Sequence, residues 1–335
     1  MYRPGRGIRL RSSARSDRGR VRQNNEDNVH LWDASTSVLA VVADGMGGAV
    51  AGEEASRIAV KTVQDKLATD YYRSPDDYSS YDAEDLADLM GDAVREANQN
   101  IIDKAIADPD FKGMGTTITM AFARYNDVIL AHVGDSRAYY VDASDKTIHQ
   151  LTADHSFVQA LVDAGHITDD EAASHPMKNV LYRALGQAED LDVDVIQDIR
   201  IHANDRLVLC SDGLTLHLNS EEIRDIALSS EDPHVISNKL VELANSRGGK
   251  DNVSVIVVIA DMVEIEEMET ENEAINLTIG GDDEPTVPMN PDYLNLTRLN
   301  KSLDSLDAED DPFATQETPS AGIYGEGQDS FNSLF

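Results

Sequence analysis

The sequence predicts an α+β fold in which antiparallel sheets are covered by helices. Strand-like and helix-like segments occur in runs instead of alternating strictly, and two amphipathic helices follow one another after the first predicted hairpin. Runs of strands and runs of helices are typical of antiparallel sheets packed against helices, whereas strict alternation is typical of parallel sheets. We therefore expect a strand meander after the helix pair.

The strands are predicted from short apolar or alternating segments. Residues 8–13 alternate between apolar and polar side chains and are predicted to form an edge strand. The other predicted strands are 28–32, 38–43, 116–123, 128–133, 137–142, 205–210 and 252–259.

Two helices are predicted from apolar residues that recur at helical spacing. In the segment 52–67, Ala55, Ala59 and Val63 fall on one helical face, and the segment 83–106 repeats the same pattern. A single apolar face indicates that each helix covers a sheet on one side only.

Composition limits the classes of function. The chain has 335 residues, 41% of them hydrophobic, and a formal net charge of −34. This length allows one large domain or two smaller ones. The charge argues against binding to nucleic acid or to an acidic membrane surface. Cys210 is the only cysteine, which excludes an internal disulfide and fits a reducing, cytoplasmic location. No apolar run approaches the roughly 20 residues of a membrane helix, so we expect a soluble protein.

The charge is unevenly distributed along the chain. From Asp261 to Phe335 there are 19 Asp and Glu residues against 2 Lys and Arg residues, which is half of the net charge. This part also lacks sustained periodicity, a combination typical of disordered segments. The sequence therefore predicts a folded domain over residues 5–262 and an acidic, disordered tail over residues 263–335.

Asp44 is the first candidate functional residue, because it ends an apolar run on a glycine-rich turn. Three further clusters stand at the ends of apolar or turn segments: NNED at 24–27, CSDG at 210–213 and KDN at 250–252. Carboxylates at the edge of a buried sheet are costly unless they are paired or bound to metal. Oxygen ligands are those that magnesium and manganese prefer. The clusters are predicted to form one metal site.

The ordered motifs of the chain resemble those of the metal-dependent protein phosphatases, the protein phosphatase 2C family. They are most similar to bacterial members that oppose eukaryotic-like Ser/Thr kinases. The motifs are SDRGRVRQNNED (16–27), ADGMGG (43–48), MGTT (114–117), GDSR (134–137), CSDGL (210–214) and DNVS (251–254). The resemblance implies a four-layer α/β/β/α sandwich of two antiparallel sheets flanked by helices.

The resemblance also implies the activity and the cofactors. It implies hydrolysis of phosphoserine and phosphothreonine by a water that is activated at a dinuclear manganese or magnesium centre. Two alternatives stay open: a hydrolase of small phosphate esters, and a catalytically silent scaffold that binds phosphoproteins. Uncatalysed hydrolysis of phosphate monoesters is among the slowest reactions in water, and two adjacent metal ions supply both a nucleophile and charge stabilisation.

Site residues follow from the same resemblance. Asp44, Asp212 and Asp251 are assigned to one ion. Asp44, Glu26 and the main-chain carbonyl of Gly45 are assigned to the other ion.

Three residues have roles beside these ions. Asp27 is assigned to orienting a water at the ions, and Arg22 to gripping the substrate phosphate, where a guanidinium holds two oxygens at once. For Asp135, a third, weaker ion and a turn-capping role both stay open.

The chain departs from many eukaryotic relatives of this family at Met46, where they have a histidine that would serve as general acid. His155 is therefore kept as an alternative proton donor. Cys210 is interpreted as a packed strand residue and not as a nucleophile. The segment 157–186 resembles the bacterial flap beside the active site, and a simple helical cover over a sheet edge is the other interpretation.

The tail contains threonines in acidic surroundings, at Thr286, Thr315 and Thr318. They resemble sites that Ser/Thr kinases modify and that forkhead-associated domains then bind. Phosphorylated proteins, a Ser/Thr kinase and a forkhead-associated domain protein are the expected partners. A solubilising tail without a partner is the alternative.

Overall fold

The structure is a computed structural model that describes residues 6–34, 36–71, 82–264 and 275–280. Its strands are β1 (Arg6–Asp17), β2 (Asp27–Asp33), β3 (Ser37–Met46), β4 (Gly115–Thr116), β5 (Ile118–Arg124), β6 (Asp127–Val133), β7 (Arg137–Asp142), β8 (Thr147–Gln150), β9 (Asp194–Arg200), β10 (Arg206–Cys210), β11 (Val253–Glu264) and β12 (Ile275–Gly280).

The helices lie between these strands. They are α1 (Ala49–Tyr71), α2 (Ala83–Ala107), α3 (Phe157–Asp163), α4 (Asp169–Ser174), α5 (Asp212–Thr215), α6 (Ser220–Ala227) and α7 (Pro233–Ser246), with a short 3-10 helix at Pro109–Phe111. None of the helices within the described ranges combines the length and apolar character that a membrane span requires.

Two antiparallel sheets form the centre of the fold. The first has the strand order β1-β11-β10-β7-β8, and the second has the order β12-β2-β3-β5-β6-β9, with β4 paired to the end of β3. β1 is an edge strand, as the alternation in residues 8–13 predicts.

Three apolar layers hold the sheets and helices together. Leu31 and Leu209 belong to the layer between the two sheets. Val41 and Met90 belong to a second layer, between the second sheet and α1 and α2. Val255 and Leu240 belong to a third, between the first sheet and α7. The order helix, sheet, sheet, helix confirms the predicted α+β sandwich.

Some elements were not predicted from the sequence. β8 and β9 are short or largely exposed, so they carry little apolar patterning. The predicted strand 116–123 is interrupted at Thr117 and is observed as β4 and β5, both of which pair with β3 in one continuous register. Helix α7 was also missed, although Asp232 and Pro233 form a typical helix start.

The predicted boundary of the folded domain at residue 262 is too early. β11 continues to Glu264, and residues 275–280 form β12, which pairs with β2. The apolar positions of β12 alternate at Ile275, Leu277 and Ile279, a strand signal that the surrounding acidic composition concealed. Residues 281–335, with Thr286, Thr315 and Thr318, lie outside the described residues.

Candidate active site

A cavity of about 600 Å³ lies where strands of both sheets end. Its lining includes seven of the eight residues that the sequence predicts for the site: Arg22, Glu26, Asp44, Gly45, Asp135, Asp212 and Asp251. We call its five acidic residues, Glu26, Asp44, Asp135, Asp212 and Asp251, the carboxylate cluster. Segments separated by more than 200 residues in the sequence therefore meet at one place.

Asp44 is fixed through its main chain at the end of β3. Its N–H donates to Thr117 Oγ1 at 3.0 Å. Its carbonyl oxygen accepts from Thr116 Oγ1 at 2.8 Å and from the N–H of Thr117 at 2.9 Å. Gly47 then adopts a φ of 115°, a conformation that favours glycine, as the chain turns into α1. The MGTT motif thus holds the Asp44 main chain in place.

Glu26 is held at both main-chain polar groups. Its N–H donates to Asn252 Oδ1 at 2.8 Å, and its carbonyl oxygen accepts from Ser56 Oγ at 2.6 Å and from the N–H of Gly45 at 3.2 Å. A Cβ on Gly52 would lie 2.1 Å from Glu26 Oε2. The absence of a side chain at residue 52 therefore provides room for the Glu26 carboxylate.

Asp212 and Asp251 are brought together by close packing of their motifs. A Cβ on Gly213 would lie 1.8 Å from the carbonyl oxygen of Asn252, so the Asp-Gly motif requires its glycine here. The N–H of Ser211 also donates to the carbonyl oxygen of Ser254 at 3.0 Å. This contact joins the end of β10 to the start of β11 next to both carboxylates.

Burial and mutual repulsion raise the pKa values in the carboxylate cluster. Burial is the main cause of the strongly raised pKa of Asp44, followed by repulsion from Asp27 and Asp212. Burial is also the main cause of the raised pKa values of Asp135, about 8, and of Asp212, about 6.

Asp27 lies behind the cavity and is fully buried. Its Oδ2 accepts from Ser211 Oγ at 2.8 Å and from Ser254 Oγ at 2.7 Å, whereas its Oδ1 has no hydrogen-bond partner. Burial raises the pKa of Asp27 to about 7. A buried acceptor without a partner is costly, so this carboxylate is suited to a ligand or a water that the protein itself does not supply.

Arg22 contacts two members of the carboxylate cluster. Its Nη2 lies 2.8 Å from Asp251 Oδ2, and its Nη1 lies 3.7 Å from Glu26 Oε1. The side chain is about half exposed, so it can reorient at little cost. Arg22 thus lines the cavity, and in this arrangement it neutralises predicted metal ligands.

Arg183 is a cavity residue that sequence reasoning missed. It follows helices α3 and α4 in the chain and lines the cavity with its neighbour Tyr182, and its Nη1 lies 2.6 Å from Asp194 Oδ1. Only the path of the chain after α4 brings it to the site. The one signal in the sequence is a basic residue beside an aromatic one at the end of the segment 157–186.

His155 does not present a ring nitrogen to the cavity and is not among its lining residues. Its Nδ1 accepts from the N–H of Gly134 at 3.0 Å, and its Nε2 lies 3.0 Å from Asp194 Oδ2. Both nitrogens are therefore engaged, which disfavours the proton-donor role. Cys210 is fully buried, and burial raises its pKa to about 12, which agrees with a packing role.

The donor set of the cavity fits hard divalent cations. Five carboxyl groups line it against two guanidinium groups, and every candidate ligand is an oxygen. Among the described residues, no three acidic, histidine or cysteine side chains are already oriented to hold one ion, and Arg22 contacts both Glu26 and Asp251.

Comparisons with known proteins agree with the motif order. The family model described as Protein phosphatase 2C matches residues 17–243. A serine/threonine phosphatase, stp of Listeria welshimeri, is 35% identical over 256 residues, which are 76% of this chain and 98% of that protein.

Solved structures support the same assignment. The Mycobacterium tuberculosis serine/threonine phosphatase PstP/Ppp is 39% identical, with a TM-score of 0.65 over 76% of this chain and 99% of its own. A PstP catalytic domain in complex with two manganese ions is 36% identical, with a TM-score of 0.63 over 76% of this chain and 99% of its own. Motifs, fold and relatives agree, and the chain belongs to the protein phosphatase 2C family.

Proposed function

We propose that this chain is a metal-dependent protein Ser/Thr phosphatase that hydrolyses phosphoserine and phosphothreonine. The observation that carries the proposal is the carboxylate cluster, in which acidic residues from five separate motifs line one cavity with Arg22. Related chains that are 35% to 39% identical are named serine/threonine phosphatases. A silent scaffold would be expected to have lost at least one of these acidic residues.

The proposed cofactors are two manganese or magnesium ions. Asp44, Asp212 and Asp251 would hold one ion, and Asp44, Glu26 and the Gly45 carbonyl would hold the other. Such ions neutralise the phosphate charge and lower the pKa of a coordinated water. The half-buried Asp135 remains the candidate for a third ion, because burial has raised its pKa and a nearby cation would remove that cost.

The protein's own side chains supply binding and orientation. Arg22, once it leaves Asp251, would grip two phosphate oxygens. Asp27 would accept a hydrogen bond from a water through its unpartnered Oδ1. Met46 lines the cavity and has no acidic proton to donate, so protonation of the leaving group would fall to water or to another residue.

The test compares three substrates with the purified full-length chain. We expect manganese-dependent release of phosphate from a phosphothreonine peptide at a rate well above that from a phosphotyrosine peptide or p-nitrophenyl phosphate. A preference for the small ester would favour the hydrolase of small phosphate esters. Absence of release from all three, with manganese bound, would favour the silent scaffold.

We further propose that the enzyme acts in a reducing cytoplasm against a Ser/Thr kinase, and that the acidic tail links it to signalling. Its single cysteine and its acidic threonine sites support this proposal. The test uses a full-length variant in which Thr286, Thr315 and Thr318 are all replaced by alanine. We expect a cognate kinase to phosphorylate the natural chain and not the variant, and a forkhead-associated domain to bind only the phosphorylated form. If the kinase does not phosphorylate the natural chain, the result would favour the alternative of a solubilising tail without a partner.

A further inference from the structure

Helix α1 presents two small residues to Glu26. Gly52 and Ser56 are four residues apart and therefore share one helix face. The Glu26 carboxylate packs over Gly52, and the Glu26 carbonyl oxygen accepts from Ser56 Oγ. Ser56 is fully buried, so this hydrogen bond does not compete with water.

Ser56 is itself held by a residue of β2. Asn28 Nδ2 donates to Ser56 Oγ at 3.0 Å, and Asn28 is 4% exposed. The hydroxyl thus accepts from Asn28, and its single proton is directed to the carbonyl oxygens of Glu26 at 2.6 Å and Glu53 at 3.1 Å. Displacement of the Asn28 side chain would remove the contact that holds the hydroxyl toward Glu26.

Strand β12 limits the position of Asn28. Gly280 stands opposite Asn28 in the antiparallel register, and a Cβ on Gly280 would lie only 1.5 Å from Asn28 Oδ1. Gly280 does not have a positive φ, so its role is space and not an unusual backbone. The Asn28 side chain therefore lies against the main chain of β12.

We propose that β12 positions the metal ligand Glu26 through a chain of contacts from Gly280 to Asn28 to Ser56 to the Glu26 carbonyl. Like Asp251, β12 lies beyond residue 243, where the family model ends. Gly280, Asn28 and Ser56 are positioning residues, because none of them lines the cavity. The inference rests on the proposed function, in which Glu26 binds an ion.

A purely structural role for β12 gives a different expectation. Leu277 and Ile279 pack against the layer between the sheets, so β12 also contributes apolar burial. If that were its whole role, changes in β12 would lower the free energy of unfolding and leave metal affinity unchanged. Residues that orient a metal ligand typically change affinity by 10- to 100-fold when they are replaced.

The experiment uses four full-length variants. Ser56→Ala and Gly280→Ala interrupt the contact chain at its two ends. Ser237→Ala is the matched control for a fully buried helical serine away from the site. Thr278→Val is the matched control in β12, because it removes the contact with His30 Nδ1 and leaves Asn28 untouched.

Two quantities are measured for each variant. Manganese affinity is obtained by calorimetric titration, and hydrogen exchange of the Glu26 and Gly45 amides is followed in the metal-free protein. We expect Ser56→Ala and Gly280→Ala to weaken affinity by about tenfold or more and to speed exchange at both amides. Both controls should stay within about twofold of the natural chain in affinity.

A double variant tests whether the two ends act through one path. The affinity losses of Ser56→Ala and Gly280→Ala should be clearly non-additive, since contacting residues in one network couple. Additive losses, or a Gly280→Ala variant that behaves like Thr278→Val, would overturn the inference. Failure of the natural chain to bind manganese would instead overturn the proposed function.

Discussion

Two neighbouring groups of charged residues differ in how their acidic side chains are balanced by basic ones. One is the carboxylate cluster around the cavity. The other, which we call the paired cluster, is formed by Arg137, Asp154, His155, Arg183 and Asp194. The two are adjacent, because Asp154 contributes to the raised pKa of Asp135 and Arg183 lines the cavity.

Each acid in the paired cluster has a basic partner. Arg137 binds Asp154 through two hydrogen bonds of 2.8 and 2.7 Å. Asp194 contacts both Arg183 and His155, and these hydrogen bonds hold the pKa of Asp194 below its usual value against the effect of burial. Such a group needs nothing from outside the chain.

The acids of the carboxylate cluster outnumber their partners. Arg22 contacts Glu26 and Asp251, while burial and repulsion from neighbouring carboxylates raise the pKa values of Asp44 and Asp212. Buried acidic residues do not by themselves indicate a metal site, because basic side chains can balance them. Buried acidic residues without enough basic partners do indicate such a site, because an added metal cation relieves the repulsion between them.

The largest expected effect is that of Asp44→Asn. Turnover should fall by about 10²- to 10³-fold or more, because charge stabilisation at the reacting centre is lost. The metal-free protein should become more stable, since a buried, repelled carboxylate is removed. Phosphate release and thermal unfolding of the metal-free protein measure both effects. Equal turnover in this variant would contradict the site assignment.

Asp154→Asn should have the opposite pattern in the paired cluster. It leaves the mostly buried Arg137 without its partner, and loss of one member of a buried ion pair costs about 3 kcal/mol. Denaturant unfolding should show this loss, while manganese affinity changes far less than in Asp44→Asn. A loss of affinity with unchanged stability would remove the distinction between the two groups.

Arg22→Ala should have a smaller effect, on substrate. We expect KM to rise by about tenfold, which corresponds to about 1.4 kcal/mol for a charge-assisted hydrogen bond. Because Arg22 now lies between two predicted ligands, manganese affinity should be equal or tighter in the variant. Arg22→Lys is the control, since it keeps the charge and loses the two-pronged geometry. Weaker manganese binding in Arg22→Ala would contradict the proposed roles.

Short motifs at the ends of apolar segments were sufficient to predict residues that meet at one cavity. Asp44 lies near the end of β3 and Asp212 follows β10, so their position at a sheet end could be inferred from local pattern. Arg183 could not be found in this way, because its place at the cavity depends on how the segment 157–186 packs. Ser56 could not be found either, because its partner is a main-chain carbonyl on another element.

The differences between the predicted and the observed fold have a similar physical cause. Long apolar helices and buried strands were found because burial on one face leaves a periodic pattern. β12 was missed because it is six residues long and lies in an acidic region that resembles disorder. Its partner is fixed by tertiary contacts with β2, which no local pattern encodes.

The most direct test of the carboxylate cluster as a cation site is thermal unfolding against pH, with and without manganese. Burial raises the folded-state pKa of Asp135 in the cluster to about 8 and that of Asp27, which lies behind the cavity, to about 7, whereas an unfolded Asp has a pKa of about 3.9. Stability from these groups is therefore fully present below about pH 4 and is lost as the pH rises through about 7 to 8.

We predict that the metal-free protein loses stability between about pH 5 and pH 8. Manganese should reverse most of this loss, because a ligand that binds only the folded state stabilises it. Asp44→Asn should show a smaller loss with pH and little gain from manganese. A metal-free stability that is constant over this range, together with no stabilisation of the natural chain by manganese at pH 8, would contradict the account.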